Sequence, residues 1–207
     1  MRRPGLVVLL LGLLSARAGA QVRGVPLAAG GVPDGVAGSL DVAFPDAALG
    51  GGTGWAASLS FSGPRLAATA MTALVNHVGA DAALSYGVRG EFVLLRSPTS
   101  PFQLLAFAGA GTDDVGDAGR EWRIPAGMSF AFRTLTPGGT LVPWLAARVQ
   151  WIDGAGSSDA HAGIGGGLDV ALRARVGLRA AYDRLLRPGT DEATFGLGLT
   201  YTFTSRF

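Results

Sequence analysis

The chain has 207 residues, no cysteine and 33 glycines, and its 17 basic residues, every one an arginine, face 15 acidic ones. Without cysteine there can be neither disulfide stabilisation nor acylation at a lipoprotein cysteine. Beyond residue 20 no apolar run approaches the roughly eighteen residues that a membrane-crossing helix requires, so a helical membrane protein is excluded as well.

The chain opens with Arg2 and Arg3, then an apolar run from Leu6 to Leu14, then Ala18-Gly19-Ala20, the small-x-small form that signal peptidase reads. This order predicts an export signal over 1–20, cleaved after Ala20, because the apolar run is about half as long as a spanning helix. Removing it takes away Arg2, Arg3 and Arg17 and leaves 14 arginines against the same 15 acids. The high isoelectric point therefore belongs partly to the signal, and nothing in the charge supports nucleic-acid binding. Residues 21–34 are expected to form a leader and 35–207 a single folded domain.

From about Gly35 onward apolar residues recur at every second position, in segments bounded by Gly, Pro, Asp and Ser, which is the periodicity of strands. Ten are predicted: 35–44, 55–62, 65–75, 82–95, 102–111, 121–135, 140–151, 160–172, 175–186 and 193–203. Eight is the alternative if the first pair does not form. In the fourth, Leu84, Tyr86, Val88, Phe92 and Leu94 share one face while Ser85, Gly87, Arg89 and Glu91 share the other. The even count, with tight connections alternating with longer ones (45–54, 76–81, 112–120, 152–159, 187–192), predicts a closed antiparallel up-and-down transmembrane β-barrel.

A soluble sandwich would alternate too, so the content of the polar face decides which way the oily face points. By parity that face carries Asp41, Arg89, Glu91, Arg123, Arg133, Arg148, Asp169, Arg175, Arg179 and Asp183, interspersed with glycines. Long guanidinium groups lying beside glycine and pairing with carboxylates can fill a narrow lumen, leaving the apolar face to lipid. Aromatic residues fall near the strand ends, with Trp55, Trp122, Trp151 and Tyr182 beside the longer connections and Tyr201 and Phe203 at the opposite end, as two membrane interfaces require.

The last strand contains Gly198, Tyr201 and Phe203, and the chain ends in Phe207. This resembles the assembly signal of bacterial outer-membrane β-barrel proteins, in which a glycine and two alternating aromatics mark the final strand. The resemblance implies an outer-membrane location, lipid and lipopolysaccharide as surroundings, and the barrel-assembly machinery as a partner during biogenesis. Three residues, Thr204 to Arg206, separate the aromatic pair from the terminal Phe, a departure from the usual spacing.

Two constellations carry chemistry. Asp113, Asp114 and Asp117 are dense enough to suggest a metal site, although they lack the longer pattern of an EF-hand loop. Asp159 and His161 lie on one face of a strand and resemble half of the site of omptin surface proteases, which are also ten-stranded. The matching Asp-x-Asp on a facing wall is not evident, and no GxSxG, HExxH or phosphate loop occurs. The reading is a non-enzymatic envelope barrel without a cofactor, with at most a narrow arginine-lined pore. An omptin-like hydrolase and a soluble periplasmic ligand-binding barrel are the alternatives.

Overall fold

The computed structural model describes residues 22–28, 35–78, 82–96, 100–114, 119–154, 156–172 and 175–204. Eleven strand segments make ten staves: β1 (Gly35–Pro45), β2 (Thr53–Ser62), β3 (Leu66–Asn76), β4 (Ala83–Arg96), β5 (Phe102–Asp114), β6 (Arg120–Phe132) with its three-residue continuation β7 (Thr134–Thr136), β8 (Gly139–Gly154), β9 (Ser157–Leu172), β10 (Val176–Leu186) and β11 (Glu192–Thr204). Each pairs antiparallel with its neighbour in sequence, and β1 pairs with β11, so the sheet closes. The first pair is formed, which removes the eight-strand alternative.

Closure needs tilt, and tilt shows as stagger. Following the registers once around the wall from Asp41 returns to β1's own line displaced by about 12 residues, an even number that keeps every inward side chain inward. We call the end at which β1 begins and β11 finishes the lower mouth, and the opposite end the upper.

The apolar residues face outward. Leu40, Leu59, Leu74, Val88, Met128, Leu145, Val149, Leu178, Leu197 and Leu199 are all exposed, whereas Arg89, Glu91, Arg123, Arg148, Asp183 and Glu192 on the same strands are buried inside. This is the inverse of a water-soluble core, and it satisfies every ladder group between strands while giving lipid a greasy wall.

Aromatics border this wall at both ends. Near the upper mouth are Trp55, 61% exposed, Trp151 and Tyr182, together with Phe44 stacked on Phe195 at 6.3 Å between ring centres. Near the lower mouth Phe102 touches Phe130 and Phe132 at 5.3 and 5.1 Å, and Tyr201 meets Phe203 edge-on at 5.3 Å. Trp122 follows the same outward parity near the upper mouth but is partly covered.

Two expectations about connections are corrected. The predicted loop 152–159 is mostly strand, because β8 and β9 continue pairing as far as Gly154 opposite Ser157. Likewise 112–120 contracts to 115–119, as β5 extends to Asp114 and β6 begins at Arg120. Polar residues near a barrel mouth still belong to the ladder, because there the outward face no longer meets hydrocarbon and alternation fades before pairing does.

At the membrane-facing midpoint of β11, Leu197→Arg is expected to cost about 2–4 kcal/mol and Leu197→Ile less than about 1.5. Urea unfolding in lipid vesicles measures both. Equal costs would place this wall outside hydrocarbon.

Candidate functional site: a filled lumen

The inward residues of β4 to β11 are held by charge. Arg123 on β6, 2% exposed, donates from Nε to Glu121 at 2.6 Å and from Nη1 to Glu192 on β11 at 2.8 Å, with Asp113 on β5 at 3.5 Å. Arg187 also reaches Glu192. Deeper down, Arg148 on β8 grips Asp183 on β10 with two bonds of 2.5 and 2.9 Å and donates through Nε to Gln150 at 3.0 Å. Towards the lower mouth Arg179 pairs with Asp169 at 2.6 Å, and Arg89 with Glu91 at 2.6 Å. The forked guanidinium suits these sites because its donors fit a carboxylate two at a time and stay charged when buried.

Such side chains need floor space, and glycine supplies it. A Cβ added at Gly163 would lie 2.6 Å from the guanidinium carbon of Arg148, and one at Gly165 would lie 3.0 Å from the carboxylate of Asp183. Gly167 does the same beneath the indole of Trp144, and Gly198 beneath Asp41, whose Oδ2 accepts from Ser39 at 2.6 Å. The run from Gly163 to Gly167 is thus the seat of the arginine and tryptophan opposite it rather than a flexible loop.

The inner wall of β1 to β3 is different. It presents Ala37, Ala43, Ala56, Ala67, Ala73, Met71 and Val75 among hydroxyls, and Asp41 is its one charged group among the described residues. Against this strip lies Val22–Ala28. Val22, 1% exposed, and Val25 pack on Ala43, Ala56 and Ala73, while Leu27, 3% exposed, enters a second cluster with Phe107, Ala131, Trp144, Ala146 and Ala181. Gly24 makes the turn at φ +73, closed by Val25 N–H to the Val22 carbonyl at 3.2 Å, and Arg23 N–H donates to Asp113 at 3.0 Å. The segment descends from the level of Asp113 to Ala28, where the space remaining beside Arg89 and Arg179 is about 30 Å³, room for water and little more.

Burying Val22, Val25 and Leu27 contributes about 1.5–3 kcal/mol each, while ordering seven residues costs about 1–2 kcal/mol apiece. Gain and cost are of the same order, so this segment is seated shallowly compared with the ladders around it.

Most residues read from the sequence as lumen-facing lie inside: Asp41, Arg89, Glu91, Arg123, Arg148, Asp169, Arg179 and Asp183. Arg133 and Arg175 do not. Arg133 sits at the break between β6 and β7, and Arg175, at φ 63, lies outside the strands and donates to the Phe203 carbonyl; both are exposed at the lower mouth. Parity fails at them because a bulge or turn interrupts the period of two. Of the assembly motif, Gly198 faces inward and Tyr201 and Phe203 outward, while Phe207 and the cleavage point after Ala20 fall outside the described residues.

Asp159 and His161 share the inward parity near the upper mouth, Asp159 exposed and His161 partly buried opposite Gln150. Among the described residues no hydrogen bond joins them, and the His161 Nε2 has no partner. Asp113 points inward into the Arg123 cluster, whereas Asp117 and the side chain of Asp114 lie outside the described residues. Among those described, no group of three metal-ligating side chains occurs. The sequence predicts a leader over 21–34 but not that Val22–Ala28 docks inside the lumen, for which the signal was the inward row of alanines and the apolar stretch Val22-Arg23-Gly24-Val25-Pro26-Leu27.

An oily outer wall, aromatic borders at both ends, a closed ten-stave ladder and a charge-paired interior define a transmembrane β-barrel of the bacterial outer-membrane type. No protein-family model matches the chain, and no curated protein does either. Among solved structures, a KdgM porin in complex with disordered oligogalacturonate is similar at a TM-score of 0.53 and 9% identity, covering 81% of this chain and 99% of that one. A bacterial polysaccharide outer membrane secretin gives 0.49 at 11% identity over 74% of this chain, which spans 57% of the secretin's length. The N-terminal barrel domain of Pseudomonas aeruginosa OprF gives 0.42 at 11% identity, covering 82% and 98%. At such identities the porin likeness speaks to fold alone.

Asp183→Ala strands the buried Arg148 guanidinium and is expected to cost about 3–5 kcal/mol, read from urea unfolding in vesicles. Arg184→Gln, which removes an exposed pair with Asp191, is expected to leave the same transition unchanged. In the connection 77–82, burial pushes the His77 imidazole below its ordinary range, and Arg23 reinforces this against the opposing pull of Asp113. His77 therefore favours folding while neutral, and that contribution declines as the pH falls below about 6.5, the range of a free imidazole. His77→Gln is expected to flatten the acid side of the stability profile between pH 7 and 5, and an unaltered profile would assign the decline to another group.

Proposed function

We propose that the protein is a non-enzymatic barrel of the bacterial outer membrane that serves an envelope structural or interaction role and does not conduct solutes in its resting form. The observation that carries this reading is the occupied lumen: ion pairs from β4 to β11 on one side, Val22–Ala28 on the other, and about 30 Å³ left beside Ala28. Water-filled diffusion channels use about sixteen to eighteen strands, and a ten-stave cylinder filled in this way has no comparable passage.

In this reading the chain is exported through the general secretion route of a Gram-negative cell, loses residues 1–20 after Ala20, and is inserted by the barrel-assembly machinery acting on Gly198, Tyr201, Phe203 and Phe207. The upper mouth, with the carboxylates Asp46, Asp153, Asp159 and Asp191, faces outward among lipopolysaccharide. The lower mouth, with Arg65, Arg96, Arg133 and Arg175, faces the periplasm. No nucleic acid and no cofactor enter this reading.

A hydrolase centred on Asp159 and His161 is disfavoured by the absence of a bond between them and by the engagement of the inward Asp113 with Arg123. It predicts peptide cleavage that disappears in His161→Ala with folding unchanged. Purified barrel in detergent with lipopolysaccharide is expected to cleave neither fluorogenic peptides nor lipid esters, and to give no stable current steps in planar bilayers. Large, long-lived steps from the unaltered protein would overturn the closed-lumen reading.

A further inference from the structure

The shallow seat of Val22–Ala28 has a built receiver on the wall, and this points beyond a permanently closed cylinder. A Cβ at Gly196 on β11 would lie 2.6 Å from Cγ of Pro26, so that position admits the proline ring only because it is glycine. Gly54 on β2 lies beneath Gly24 more loosely, with 3.4 Å, an ordinary contact, from its would-be Cβ to the Gly24 carbonyl oxygen. The alanines of β1 to β3 complete an apolar strip that faces the buried cluster of Phe107, Trp144 and Ala181 on the opposite staves. Inward alanine on three consecutive staves leaves a vertical gap, and the seven residues fill it.

The attachments are of a kind that can be undone singly. Among the described residues one hydrogen bond joins the leader to the wall, Arg23 N–H to Asp113, and there is no ladder pairing. The remaining contacts are apolar packing by Val22, Val25, Pro26 and Leu27. By contrast, the ion pairs Arg123–Glu192, Arg148–Asp183 and Arg179–Asp169 join staves to one another and involve no residue of the leader.

We infer that Val22–Ala28 is a displaceable plug bound in cis to a dedicated strip on β1 to β3 and Gly196, and that unseating it gives the barrel a second activity, as a narrow aqueous channel for ions and small hydrophilic solutes. The passage runs along β1 to β3, bordered by Ser39, Ser58, Ser60 and Thr69. Because the neighbouring arginines are paired with carboxylates, it discriminates little between small cations and anions. This inference rests on the closed resting barrel proposed above.

Two variants test it in planar bilayers containing potassium chloride: Gly196→Val, which places methyl groups where Pro26 sits but keeps a strand-favouring residue, and deletion of 22–28 from the mature chain. Both are expected to raise the fraction of time spent conducting by about tenfold or more over the unaltered protein, as a ligand-like contact biasing a two-state equilibrium implies. The reversal potential in a salt gradient is expected to lie near zero. Heat-modifiable gel migration establishes that each variant is folded.

The absence of cysteine permits a second, independent reading. Leu27→Cys is expected to resist a water-soluble maleimide in the otherwise unaltered chain and to react at least about tenfold faster when combined with Gly196→Val, with Leu135→Cys, at an 80% exposed position, as the reference for full access. Folded variants that remain silent and keep Leu27→Cys protected would overturn the plug. Currents from the unaltered protein, with Leu27→Cys still protected, would instead count against the closed resting state alone.

Discussion

Every strand here must place its backbone N–H and C=O groups in a ladder, because hydrocarbon offers no alternative partner. That requirement makes the pairing of β1 with β11 the contact on which the rest depends. Ten registers, from Gly35 opposite Ser62 round to Val36 opposite Thr204, leave no open edge along the wall. Closure then fixes an interior of limited size, and its contents follow from that size and from the parity of each strand.

The interior is solved in two ways. On the β4 to β11 side, arginines reach across to carboxylates on other staves, and glycine stands where the long side chains lie down. Arg148, Asp183 and Gly163 form one such unit, and Arg179, Asp169 and Gly198 with Asp41 form another. On the β1 to β3 side the wall is too small-featured to meet its opposite, and the chain fills the difference with its own segment Val22–Ala28. The two solutions differ in kind: the first cross-links the staves, whereas the second only occupies space.

Much of this is legible from alternation. The ten staves, the oily exterior and the inward placement of Arg89, Arg123, Arg148 and Arg179 all follow from a period of two, because lipid enforces that period over the whole hydrocarbon depth. Legibility ends where lipid ends. Asp113, Asp153 and Glu192 lie in strands although their polarity suggests loops, and Arg133 and Arg175 leave the pattern because the backbone turns at them. The docking of Leu27 among Phe107, Trp144 and Ala181 was not legible, since it joins residues far apart in sequence and has no periodic signature.

The two faces of this wall make unequal demands on mutation. Outside, a leucine at 40, 59, 197 or 199 answers to a solvent that asks only for oiliness, so valine, isoleucine, methionine or phenylalanine would serve, and such positions can wander freely over generations. Inside, Gly163 or Gly196 admits no other residue without moving a guanidinium or a proline ring. A family of such cylinders would therefore lose its resemblance from the outside inward, keeping its shape long after residue-by-residue comparison had ceased to find it.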